Sequence, residues 1–485
     1  MADPRYPALI GRGTTQEGVA AASPAWLRMQ GRWQPITDLC GGTTHMRQVG
    51  KTWLPQENRE AAQAYEARLK RSYLYGAFTD TIQKLAAKPF ARPVTVSGGL
   101  QEQLGAIGAN ADLEGRDLTH LARSVFSDAL KYGLSHVLVD FPSNGGGLTL
   151  AEERATGQRP YFVQISPLDL FAWKVGRGAD GSNRVTEIRF KERRTEYGEG
   201  FLEDEAQYIR VINEEGYELW RESQNGGEWA KIEEGPHSFG RVPLVTYYSQ
   251  RTEFMEATPP LEDLAWLNIA HWQSLSDQRN ILRFARVGIL FMSGVTEEEL
   301  EAGVTIGPSQ MISSTNPDAR LSYVEHTGRA IQAGEADLAA LEKRMEVLGL
   351  SPLVERTGGT TATGRAMDEA RTSTNIQAWI RALEDTLAQA YGIASEWIGA
   401  SLPDDFAIDI FNDFGIGVKA SEDTKNLITM GQSGLISHET LLQEIKRRGI
   451  LSDEVDVEAE AEQAKTEADT ALLSPPPAEE VEAGE

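Results

Sequence analysis

Apolar residues recur three or four positions apart along several stretches of this chain, and that spacing predicts helices. Two long ones bracket a segment rich in Gly, Ser, Pro and Asn: Leu261 to Arg286 and Arg329 to Gly349. Pro259-Pro260 opens the first, in line with proline's place at helix starts. At about 1.5 Å per residue it would run about 39 Å. The second carries a heptad-like seam of Ile331, Gly334, Leu338, Leu341, Met345 and Leu348. A third block, Ala366 to Ile398, presents Ile376, Ile380, Leu383, Leu387, Tyr391 and Ala394 on one face. Helical spacing also covers Thr52 to Lys88, stopped by Pro89, and Arg116 to Tyr132, with Gly133 at a C-cap. Ser421 to Met430 and His438 to Arg448 read as short helices.

Between Pro160 and Ser249 the period shortens toward two. Strands are predicted at Tyr161–Ile165, Val185–Phe190, Tyr208–Ile212, Tyr217–Trp220, Trp229–Ile232 and Leu244–Tyr248. Asn225-Gly226-Gly227 is a hairpin turn, so the pairing should be antiparallel. His136 to Phe141 is a buried strand and Phe406 to Phe411 a short one. Residues 1–55 hold Pro35, Gly41, Gly42 and Pro55 without a long period, which suggests a loosely packed arm. The mixture gives an α+β fold, and 485 residues suit two to four domains.

Charge sharpens this picture. The net is −25, and residues 451–485 hold twelve acidic side chains against one lysine, a net of −11, leaving −14 for the other 450 residues. That tail, with Pro475-Pro476-Pro477, has the composition of a disordered segment. The overall sign is wrong for a protein that grips phosphates tightly. The lone Cys40 excludes an internal disulfide and a thiolate metal cage. No run approaches the roughly 18 apolar residues of a membrane span, and the N-terminus has no secretory pattern.

Candidate chemistry is sparse. Gly359 to Arg365 has glycines at phosphate-loop spacing but lacks the following Lys-Ser/Thr, so a flexible loop explains it better. The seven histidines form no zinc-type pair, and there is no Gly-x-Ser-x-Gly elbow. Asp140, Glu187 and Lys191 sit on predicted strands and could serve a metal-dependent nuclease or hydrolase, although carboxylates at strand ends are common. Arg279, Arg283 and Arg286 share one helix face, placed to meet phosphates or, better in so acidic a chain, carboxylates of a neighbouring helix or subunit. No catalytic, metal or cofactor residue is assigned.

Several stretches, in order, resemble the portal proteins of tailed double-stranded DNA bacteriophages. They are Tyr65 to Ser72 with Phe78 to Leu85, Tyr132 to Pro142, Pro160-Tyr161 with Leu168 to Trp173, and Gly434 to Leu442 before Gly449. The resemblance covers roughly Thr52 to Leu451. It implies an architecture of wing, two-helix stem, small α/β clip and helical crown. In this chain that means an N-terminal arm at 1–55, a wing at 56–260, stem helices at 261–286 and 329–349, and a clip at 287–328. A tunnel loop follows at 350–365, then a wing helix and strand at 366–420, a short crown at 421–450 and the acidic tail.

The resemblance further implies a homo-oligomeric ring, typically a dodecamer, at the portal vertex of the virion, assembled in the host bacterial cytoplasm. Double-stranded DNA would pass through its channel during packaging and genome ejection. Partners would be a terminase packaging motor, head–tail adaptor proteins, and a major capsid or scaffold protein, with no membrane and no cofactor. Arg356, Thr357, Thr360, Thr361, Thr363 and Arg365 would face the channel, and Arg279, Arg283 and Arg286 would lie on the stem. A passive virion scaffold component is the second non-enzymatic alternative.

Overall fold

The computed structural model describes residues 18–142, 158–178, 180–198, 203–223, 226–237, 239–287, 289–294, 316–324, 329–349, 362–412, 427–431, 433, 435–447 and scattered positions between 451 and 463. Two compact units divide the chain: 1–355 with 375–411, and 356–374 with 412–485.

In the first unit, residues 24–49 are not the loosely packed arm that the sequence suggests: they form helices α1 (Pro24–Cys40) and α2 (Gly42–Val49). Ser23 caps α1 by accepting the Trp26 amide at 3.3 Å, and Pro24 fits the first turn. Trp26 and Trp33 are buried edge-to-face, and their indole N–H groups donate to the Pro167 and Tyr132 carbonyls at 2.8 and 2.9 Å. Gly31 and Pro35 interrupt helix propensity without ending the helix, because tertiary burial outweighs it. The buried Asp38 carboxylate gathers Gln34 of α1, His45 of α2 and Trp53 beyond it, and so ties the two helices together.

The single helix expected from Thr52 to Lys88 is two, α3 (Ala62–Arg71) and α4 (Ala77–Ala87). Side chains from elsewhere satisfy the backbone of the break. Arg47 donates to the Ser72 carbonyl, Thr43 accepts the Leu74 amide, and Asn268 both accepts the Phe78 amide and donates to the Tyr75 carbonyl. After β1 (Thr95–Ser97) and α5 (Glu102–Ala109) comes α6 (Leu118–Tyr132), which buries Leu118, Leu121, Val125 and Ala129 as predicted. Gly133 follows at φ +91°, and a Cβ there would sit 2.5 Å from the Thr258 carbonyl oxygen.

β2 (Leu134–Asp140) is the centre of a three-stranded antiparallel sheet, between β3 (Tyr161–Ile165) and the later β9 (Leu244–Tyr248). A five-stranded antiparallel meander runs through β4 (Leu170–Arg177), β5 (Asn183–Tyr197), β6 (Glu203–Asn213), β7 (Gly216–Glu222) and β8 (Trp229–Pro236). β4 has no counterpart among the predicted strands. Leu138, Ile165, Leu170, Ile188, Phe190, Ile212 and Met255 form a core shared by the two sheets. Across them Asp140 on β2 accepts from Arg210 on β6 at 2.9 Å and from the Tyr161 hydroxyl at 3.0 Å. A small hairpin, β10 (Arg251–Glu253) and β11 (Glu256–Ala257), leads into α7 (Glu262–Val287).

α7 is followed by the antiparallel ribbon of β12 (Ile289–Ser293) and β13 (Arg320–Val324), then by α8 (Arg329–Leu348). α9 (Ala362–Trp397) completes the long helices and buries Ile376, Ile380, Leu383, Leu387, Tyr391 and Ala394. Its end is held by Trp397, stacked on Phe141 and Phe239. β14 (Ala407–Asp409) pairs with β1. The fold is mixed α+β.

In the second unit, α10 (His438–Arg447) is capped by Ser437, whose hydroxyl accepts the Thr440 amide at 3.1 Å. Leu441 is buried beside Gly431 in the helical segment 427–431.

Candidate functional site: the paired-helix arm

α7 and α8 run antiparallel as one arm. Three contacts fix their register: Gln278 Nε2 donates to the Ile331 carbonyl at 2.9 Å, Ser274 Oγ to Asp337 at 2.8 Å, and His271 Nε2 lies 3.3 Å from Glu342. Gly334 permits this approach, since a Cβ there would stand 2.0 Å from Gln278 Oε1. Of the predicted seam, Leu341 and Met345 are buried and Ile331, Gly334 and Leu338 half-buried. Leu348 instead is exposed, because the seam drifts around a straight helix.

The base of α7 is anchored to the body along one face. Ala265, Asn268, Trp272 and Ser276 form a buried stripe three to four residues apart. Ser276 meets Ser72, Gln273 donates to the Trp53 carbonyl, and Asp277 reaches the buried Arg68, itself held by Glu60. Beyond Gln278 no described side chain of α7 is buried, and none of α8 is before Leu341. The same stripe continues past this point as Arg279, Arg283 and Arg286, so one helix face changes from core to cation where the body stops covering it.

Of the arginines expected to meet carboxylates, Arg279 and Arg283 find none within the described residues. Arg279 stacks over the exposed Tyr73 ring at 4.9 Å. Arg283 lies near another cation, Arg71, whose pKa is lowered first by partial desolvation and then by Arg283. The side chain of Arg286 lies outside the described residues. At the tip, Phe291 faces Ser322 across the ribbon and Met292 faces Leu321. Phe291 and Leu321 therefore point to opposite faces, at 53% and 45% exposure.

Arg356, Thr357, Thr360 and Thr361 lie outside the described residues. Thr363 and Arg365 fall within the first turns of α9, which starts four residues before the predicted Ala366, so the end of the expected tunnel loop is helix.

The residues considered for a nuclease are engaged separately. Asp140 holds Arg210 and Tyr161, Glu187 pairs with Lys174 on the meander, and Lys191 sits over Phe171 with its pKa lowered by burial. Burial raises the Cys40 thiol to about 11, which keeps it protonated at neutral pH. Burial lowers His136 to about 3; its ring nitrogen lies 3.0 Å from the Thr246 hydroxyl and it remains neutral. Sequence reasoning missed Arg71 and Tyr73 beside the stripe, whose closeness only the fold creates. It placed Gly334 in the seam without seeing its role; a glycine at a packed seam position was the available signal.

A family model described as a domain of unknown function (DUF4055) matches residues 260–398, which take in both arm helices and the long helix to Trp397. No curated protein matches. Among solved structures, the chain is similar to one from the neck of an empty gene transfer agent (GTA) particle computed with C6 symmetry, at 12% identity over 75% of this chain and 88% of that one, with a TM-score of 0.45. It is also similar to a chain from the virion of a native gene transfer agent particle, at 12% identity over 81% and 96%, with a TM-score of 0.44. A chain from the neck of a native particle computed with C12 symmetry gives 12% identity over 82% and 97%, with a TM-score of 0.42.

Proposed function

We propose that this chain is the ring-forming portal subunit of a tailed double-stranded DNA bacteriophage, a structural, DNA-conducting component of the virion without catalysis of its own. The observation that carries the proposal is the arm. Two long helices leave a packed body; past Gln278 no described side chain of α7 is buried, Arg279 and Arg283 are exposed without a carboxylate partner among the described residues, and the ribbon between the helices exposes Phe291 and Leu321. Exposed apolar area at the tip of a two-stranded ribbon is unfavourable for an isolated chain. Copies placed side by side give each arm a neighbour, and head-to-tail contacts close into a ring when the rotation per subunit divides a full turn. The order of sequence stretches that resembles portal proteins places the stem in this same arm.

In that ring, paired rods from each copy form the channel wall. Duplex DNA carries about one charge per 1.7 Å, so a wall of about 39 Å faces on the order of 20 phosphates. A mildly acidic lining with few arginines keeps the duplex moving, whereas many lysine contacts would make each step costly. Residues 350–361 and the first turn of α9 serve as the tunnel segment, with Arg356 and Arg365 making brief phosphate contacts. The β12–β13 tip receives the packaging motor, and adaptor proteins join the ring to the tail. Light scattering after size exclusion, with negative-stain images, tests this. A ring, dodecameric by expectation, with a hole of duplex width supports it. A compact particle of one or two chains under all assembly conditions overturns it.

A further inference from the structure

The edge strands β8 and β9 are built differently. Among the described residues β8 pairs only with β7, and its register slips between Leu219 and Trp220. It carries Lys231, Glu233 and Glu234 and ends on Pro236. A bulge, charges and proline are devices that discourage strand addition. β9 has none of them. Leu244-Val-Thr-Tyr-Tyr248 is uncharged, rich in β-branched and aromatic residues, and pairs with β2 in unbroken register from Leu244 to Tyr248.

The flanking bonds show which groups point inward. The Val139 amide donates to the Pro243 carbonyl, and the Ser249 amide to the Gly133 carbonyl. Residues 243, 245, 247 and 249 thus face β2. The N–H and C=O groups of Thr246 and Tyr248 point away from it, and β9 forms a ladder with no other strand among the described residues. This edge borders a groove of about 1060 Å³ whose walls include Val185, Phe254, Thr386 and Ile393. Arg251 also lines this groove. Its guanidinium lies over the Tyr248 and Phe254 rings at 5.1 and 5.8 Å, and its Nε donates to the Glu253 carbonyl. No carboxylate pairs with it among the described residues.

We propose that β9 receives an extended segment of a different protein, which pairs with the Thr246 and Tyr248 backbone and sets a carboxylate on Arg251. Backbone pairing supplies affinity in such strand addition, and the cation and groove select the side chains. The bulged, proline-ended β8 cannot offer a regular strand, which disfavours a second copy as donor through that edge. Strand addition at β9 does not depend on the ring.

The test uses the full chain and an N-acetylated octapeptide of alternating threonine and valine with a glutamate at each end. Hydrogen exchange across residues 244–249 should slow at least tenfold on binding, and alternate N-methylation of the peptide should abolish the effect. Thr246→Pro removes an outward backbone donor, and with it the hydroxyl beside His136; it should abolish binding, and the result counts where circular dichroism shows the fold intact. Arg251→Glu should weaken binding about tenfold and covers the case in which the proline variant misfolds. Unchanged exchange, or equal affinity of the wild type and Arg251→Glu, overturns the proposal. Slowing that appears on concentrating the chain alone would assign the edge to a second copy and also overturn it.

Discussion

One helix, α7, serves two purposes along a single face. Its first half spends that face on Trp272, Asn268 and Ser276, all buried against the helices of the body. Its second half presents Arg279 and Arg283 to solvent on the same stripe. The helix period does not change between them; the cover does. A residue's role on this arm is therefore set by whether its own chain packs against it. Substitutions in the base should act on folding, and those in the outer half on assembly.

The strongest attempt to break this contrast is Trp272→Ala. Removing a fully buried indole should cost about 3–5 kcal/mol, read by urea unfolding. A loss under about 1 kcal/mol would mean that the base is not the anchor. Next is pH. His136 in the body titrates near 3 when folded and 6.5 when unfolded, so the unfolded state binds more protons between those values. Stability should then fall as pH drops below about 6.5, by on the order of 2–3 kcal/mol between pH 7 and 4.5. His136→Gln should flatten the dependence on pH. The effect belongs to the body, because His136 lies on β2 and not on the arm.

Gly334→Ala sharpens the comparison at the boundary. A methyl group there displaces the Gln278 amide from its bond to Ile331, and that loss exceeds the roughly 1 kcal/mol helix-propensity gain, leaving a net cost of about 1–2 kcal/mol. Calorimetry checks this, and a net gain would show that Gln278 yields freely. The smallest effect on folding belongs to Arg279→Ala with Arg283→Ala. Losing one exposed cation–π contact should cost less than about 1 kcal/mol, while assembly read by light scattering should drop. A variant that unfolds more easily yet assembles normally would reverse the assignment.

Much of this was legible in the sequence. Long, periodic segments fixed α7 and α8 to within a residue or two, because a continuous apolar stripe overrides local propensity. The α9 face was legible for the same reason. α1 was not, since Gly31 and Pro35 mask a helix held by two buried tryptophans whose partners, Pro167 and Tyr132, lie far away in sequence. The break between α3 and α4 was hidden because Asn268 satisfies it from about 190 residues onward. Arginine spacing predicted a shared face but could not show that the body ends one residue earlier, which is what leaves that stretch of the stripe exposed.

The central claim is that neighbouring copies bring their arms together around a common axis. An electron cryomicroscopy reconstruction of the assembled full-length chain tests it directly. Residues 262–287 and 329–348 from every copy should line one pore wide enough for a duplex. Assemblies in which these helices point outward, or in which the arms of adjacent copies never meet, would contradict it.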